Sequence, residues 1–111
     1  MMKDFDLFKK TFVKYQKLFG LTGYKVYFKH EPIGDDCFAD ITVSQDMMVA
    51  SVRLNSVVYE FRDVERSAKH EAIHLLLNRL QNLAEDRYAR AIQINEAAEE
   101  IVFKLEDLIK D

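Results

Sequence analysis

The chain has 111 residues, 49% of them hydrophobic and 32% charged, with three Gly and one Pro. That length holds a single domain, residues 1–111, around one core and excludes a separate substrate-binding lobe, while the composition excludes disorder and low complexity. A formal net charge of -3 gives no basic footprint, so direct nucleic-acid binding is not expected.

Phe5, Phe8, Phe12, Tyr15 and Phe19 recur at gaps of three and four. This predicts an amphipathic first helix, ended by Gly20, whose aromatic stripe is core. Lys9, Lys10, Lys14 and Lys17 read as its solvated face. The N-terminal residues carry acids and no continuous apolar run, and no stretch approaches the length of a membrane span. A cytoplasmic protein with no membrane partner is expected.

Three strands follow: Tyr24 to Lys29, then Cys37 to Val43 after a turn at Pro32, Gly34, Asp35 and Asp36, then Met47 to Leu54 after Ser44 to Asp46. Their short connections predict an antiparallel meander beside the helices. Met47 to Leu54 is read as a sheet edge along which an extended peptide adds. Cys37, the single cysteine, is read as a small apolar filler and not a ligand; standing alone it suits a reducing compartment. His30 reads as a solvent-facing imidazole at a strand end. Asn55 to Arg62 is a linker anchored by Tyr59 and Phe61, after which the next helix begins at a cap on Asp63 or a few residues earlier.

Asp63 to Leu83 reads as one helix and contains His70-Glu71-Ala72-Ile73-His74. Two imidazoles four residues apart stand one turn above each other, roughly 6 Å along the axis, and can reach one metal ion. Glu71 follows the first directly, so its carboxylate sits beside such an ion as a proton acceptor and not as a ligand. This spacing is the His-Glu-x-x-His signature of zinc hydrolases. Val64, Ala68, Ala72, Ile73, Leu75, Leu76, Leu77, Leu80 and Leu83 cover most of the helix circumference, which predicts a buried helix and an imidazole pair in need of partners that a metal supplies.

Arg87 to Ile109 reads as a last helix, with an apolar stripe of Ile94, Ala98, Ile101, Leu105 and Leu108 and an acid cluster of Glu96, Glu99, Glu100, Glu106 and Asp107. Catalytic zinc takes three protein ligands and an exchangeable water, and this segment is the downstream one rich in carboxylates, with Glu96 the first choice as third ligand. On a helical wheel Glu96 and Glu100 fall away from the apolar stripe while Glu99 lies nearer its edge, so Glu99 is the reserve ligand.

Ile94-Asn95-Glu96-Ala97-Ala98-Glu99-Glu100 resembles the glutamate helix of gluzincin metallopeptidases. The resemblance implies that Glu96 binds the metal and that Glu100 orients His70 from outside the ligand set. The order of elements is similar to that of the single-domain minigluzincins and of short phage-type or SprT-like metallopeptidases. It implies an α+β, zincin-like fold, a Zn2+ cofactor, a protein or peptide substrate, and amide hydrolysis with Glu71 as general base. The chain departs from larger members in lacking a C-terminal lobe, and no later histidine or tyrosine matches their transition-state stabiliser; Tyr88 and Arg87 read as surface residues. Two alternatives stay open: a metallopeptidase-like module that docks a host or regulatory protein without proteolysis, and a structural helical protein carrying a chance motif.

Overall fold

The computed structural model describes residues 3–34, 37–57 and 62–108. The elements run α1 (Asp4–Leu18), β1 (Lys25–Glu31), β2 (Ala39–Ser44), β3 (Val49–Asn55), α2 (Val64–Glu85) and α3 (Ala91–Leu108), an α+β arrangement. Tyr59 and Phe61, expected to anchor the linker, lie outside the described residues, as do Asp35, Asp36 and Ile109.

α1 forms where the aromatic spacing predicts it. Phe8 and Phe12, one turn apart, are fully buried. Both meet Phe28 of β1 edge to face, at centroid distances of 6.4 and 5.5 Å, the geometry that ring quadrupoles favour. The helix stops at Gly20, whose φ of 69° suits a residue without Cβ. The Gly20 N–H donates to the Lys17 carbonyl and the Leu21 N–H to that of Gln16, closing the helix end. The Gln16 amide, buried in the same turn, donates to the carbonyls of Leu21 and Tyr24 and so ties α1 to the start of β1.

The sheet is mixed, not the predicted antiparallel meander. Its order is β1-β3-β2, with β1 parallel to β3 from Lys25↔Val49 to Glu31↔Asn55 and β2 antiparallel to β3 from Ala39↔Leu54 to Ser44↔Val49. The reason lies in β3, whose Ala50, Val52 and Leu54 are all completely buried. A strand that apolar on its inner face is best covered at the centre, with a neighbour on each side. Residues 32–48, which include β2, are long enough to serve as the crossover a parallel pair requires. The expectation that Met47 to Leu54 forms a sheet edge fails for the same reason: β1 and β2 are the edges.

Register places Val26, Phe28, Ala39, Ile41 and Val43 on the same face as Ala50, Val52 and Leu54, and these pack with α1 and α2 into one core. The opposite face is polar. There the Arg53 guanidinium pairs with Asp40 of β2 and Glu31 of β1, spanning all three strands.

Asn55, fully buried at the end of β3, fixes the chain that leads into β2. Its Nδ2 donates to the carbonyls of Gly34 and Cys37 at 2.9 and 2.7 Å, and its Oδ1 accepts from the Val57 N–H. Nearby, Arg62 donates to the Asn55 carbonyl and to Asp4, joining the linker to α1. α3 is held more lightly. Ala97 is its one buried residue among those described, Ile101 and Leu108 lean on the core, and Leu105 of the predicted stripe is exposed.

Phe12→Ala is expected to destabilise the protein by about 3–5 kcal/mol in urea unfolding, since it empties a fully buried site. Phe103→Ser, on the exposed side of α3, is expected to stay within about 0.5 kcal/mol of the parent.

Candidate metal centre

The rotation of α2 decides what its motif can do. Asp63 caps the helix, its Oδ1 accepting from the Arg66 N–H at 3.0 Å, and this resolves the start left open in sequence. Val64, Ala68, Ala72, Leu75 and Leu76 form the buried stripe. With that stripe turned to the core, Glu71 goes inward and is only 5% exposed, while His70 and His74 remain at the surface. The predicted burial of α2 around most of its circumference is not observed: Ile73 and Leu77 are exposed beside the histidines. α2 is packed along one stripe, because α1 and β2 cover only part of it and α3 meets it along a narrow seam.

The two imidazoles face each other. Their Nε2 atoms are 3.1 Å apart, and the rings stand at 68° with centroids 4.8 Å apart. Two ring nitrogens this close either share a proton, one N–H donating to the other's lone pair, or share a cation. Ligand atoms of His70, Glu71 and His74 all lie within 4.8 Å of one another, and they form the one such metal-competent group among the described residues.

Glu71 is the unusual member. Its Oε2 is buried with no hydrogen-bond partner, an arrangement that costs free energy unless a bound group completes it. Burial, and next the negative charge of Asp40, push its carboxyl from the ordinary 4.5 up to about 7. Glu71 lines two depressions in the surface. One, of about 410 Å³, lies between residues 37–39 and the Ser67, His70 and Glu71 side of α2. The other, of about 310 Å³, lies between β2, at Ile41 and Val43, and Glu71, His74 and Asn78. A third, wider hollow of about 720 Å³ opens on the far side of His70, between Tyr15 of α1 and Lys69 and Ile73.

The structure does not bring the carboxylates of α3 to this pair. Glu96 and Glu99 are exposed and stand outside the His70, Glu71 and His74 group. Glu100 forms an ion pair with Arg79, in the part of α2 beyond the motif, and so does not contact His70. The seam explains this: α3 presents Ala97 and Ile101 to the body of the protein, and residues one position before or two after Ala97 point elsewhere. His30, at the end of β1, is exposed, stacks on Phe5 at 4.9 Å and stands outside the His70, Glu71 and His74 group. Tyr88 and Arg87 are exposed between α2 and α3.

Two features of the site had no signal in the sequence. Asp40, whose charge acts on Glu71, is one acid among 19 acidic residues. The segment 37–39 becomes a wall of the site only through strand order. No helix among the described residues is long and apolar enough to cross a membrane. Compared with protein families, with curated proteins and with solved structures, the chain matches none.

Between pH 4.5 and about 7 the folded, metal-free protein keeps a proton on Glu71 that the unfolded chain has released. The resulting stabilisation is fully present at the acid end and is lost as pH rises through that window. Chelator-treated protein is therefore expected to lose stability between pH 5 and 7 with a slope of at most about 1.4 kcal/mol per pH unit from this group. Glu71→Gln is expected to flatten that slope in urea titrations repeated across the range.

Proposed function

We propose that this chain is a zinc-dependent metallopeptidase of the zincin type, in which His70 and His74 hold the ion and Glu71 is the general base. The observation that carries the reading is the pairing of a buried, unpartnered carboxylate with two facing imidazole nitrogens on one turn of α2. The donor set suits the metal. Tetrahedral zinc with Zn–N bonds of about 2.0–2.1 Å separates two ligand nitrogens by roughly 3.3 Å, close to the 3.1 Å between the rings.

When bound, zinc supplies Lewis acidity, acidifying water and polarising a carbonyl oxygen. The chain's own residues supply the rest. Glu71 accepts a proton from the attacking water and returns it to the leaving nitrogen. The apolar packing behind Glu71, from Ala68, Ala72 and Leu75, keeps water from competing for that carboxylate. β2 takes the substrate role first expected of β3. It is an edge strand whose Ile41 and Val43 line the depression beside Glu71 and His74, so an extended peptide that adds to its free edge passes the general base. The substrate is accordingly an extended protein or peptide segment. The free thiol of Cys37 suits a reducing, cytoplasmic setting.

A second reading, a metallopeptidase-like docking module without proteolysis, draws on one observation: the carboxylates of α3 stand away from the imidazole pair. Assay of zinc-loaded protein on unfolded protein substrates separates the two. The peptidase reading expects cleavage that Glu71→Gln lowers by about 10²–10⁴-fold with zinc retained, and His74→Ala is expected to lose the zinc. Zinc-replete protein that cleaves nothing removes the enzyme and leaves the module.

A further inference from the structure

The depression of about 310 Å³ beside the motif has two unlike walls. One is apolar, from Ala39, Ile41 and Val43 of β2, and the other is made by Glu71, His74, Asn78 and Gln81 of α2. The titratable residues that line it are Asp40, Glu71 and His74; among the described residues no Lys or Arg does so. The negative charge of Asp40 reaches Glu71 even though Arg53 binds that carboxylate. The depression of about 410 Å³ on the other flank of Glu71 has Arg66 in its lining, so the two flanks differ in charge.

Asn78 is the polar group that the fold orients there. Its Nδ2 donates to Gln45 Oε1 at 2.6 Å, and the same oxygen accepts from the Tyr24 hydroxyl at 3.0 Å. Tyr24 is buried, so a chain of hydrogen bonds that starts in the core fixes how the amide is turned. Gln45 is not part of the lining, and Asn78 Oδ1 is left as the unused acceptor of the amide. His70, His74 and Asn78 follow one another at intervals of four along one face of α2. Asn78 therefore stands one turn past His74, roughly 6 Å along the axis, which is the reach of an extended lysine side chain.

We infer that this depression takes a cationic side chain, lysine or arginine, of a peptide lying along the β2 edge, with Asn78 Oδ1 as the acceptor that selects it. The inference rests on the peptidase reading above and names its substrate class. In a strand added to β2, every second side chain falls on the face of Ala39, Ile41 and Val43. The aliphatic stem of a lysine packs on that wall while its ammonium, which needs acceptors on leaving water, reaches the amide. A neutral side chain of the same length covers the wall equally well but makes no charge-assisted bond at its tip.

Two peptides that differ only in carrying lysine or norleucine at one place in an otherwise uncharged sequence test this on the zinc-loaded full chain. Wild-type protein is expected to cleave beside the lysine with a kcat/KM at least roughly tenfold above that for the norleucine peptide. Asn78→Leu is expected to bring this ratio close to one, chiefly by raising KM for the lysine peptide, and Gln45→Ala to narrow it from outside the depression. A wild-type ratio near one overturns the inference even if the variants fail to fold, and so does a ratio that survives in Asn78→Leu. Both peptides are still cleaved in those cases, and the peptidase reading stands. Protein that cleaves neither peptide overturns both.

Discussion

The rotational setting of α2 is the constraint on which the site depends. Val64, Ala68, Ala72, Leu75 and Leu76 are held against the core by α1 and by the inner face of the sheet. A helix advances 100° per residue, so once that stripe is fixed every other side chain is fixed with it. Glu71, one position before Ala72, is carried into the protein without a hydrogen-bond partner for Oε2, and His70 and His74 are left at the rim with their nitrogens facing. Rotating α2 by half a turn would put both imidazoles in the core and the carboxylate in water, reversing each chemical property of the motif.

The sheet supplies the opposing wall. Because β3 occupies the centre, β2 falls at an edge, and it is the edge that packs beside α2. Asp40 on that strand is bound by Arg53 yet still imposes its negative charge on Glu71. Asn55, buried at the end of β3, donates both Nδ2 hydrogens to the chain entering β2 and accepts at Oδ1 from the Val57 N–H that follows β3. One polar residue in the core thus holds Cys37 opposite the motif helix. A fully satisfied buried amide of this kind specifies a single arrangement, since any displacement strands its donors.

Elements with a strong local period were legible from the residues. The aromatic spacing from Phe5 to Phe19 and the glycine that follows gave α1 and its end, and His70 to His74 gave a facing pair on a helix. Alternation located three strands to within a few residues, but not their order: a strand's period of two names its faces and says nothing of its neighbours. The parallel pairing of β1 with β3 therefore went against the short connections. The wheel of α3 likewise offered Glu96, Glu99 and Glu100 without showing which side meets α2, and the seam on Ala97 together with the Arg79 to Glu100 ion pair turned them elsewhere.

By itself the sequence determined the α+β class, the helical spacing of His70 and His74, and the presence of a carboxylate directly after the first of them, since each follows from chemistry confined to a few neighbouring residues. Only the tertiary structure decided that this carboxylate is buried and lacks a hydrogen-bond partner at Oε2, that β2 and not β3 is the edge beside it, and that Glu100 of α3 pairs with Arg79. Those outcomes depend on which surfaces of separate elements meet. That is settled by burying Phe8, Phe12, Val52, Leu54 and Leu75 together, a cooperative condition that no local stretch of the chain contains.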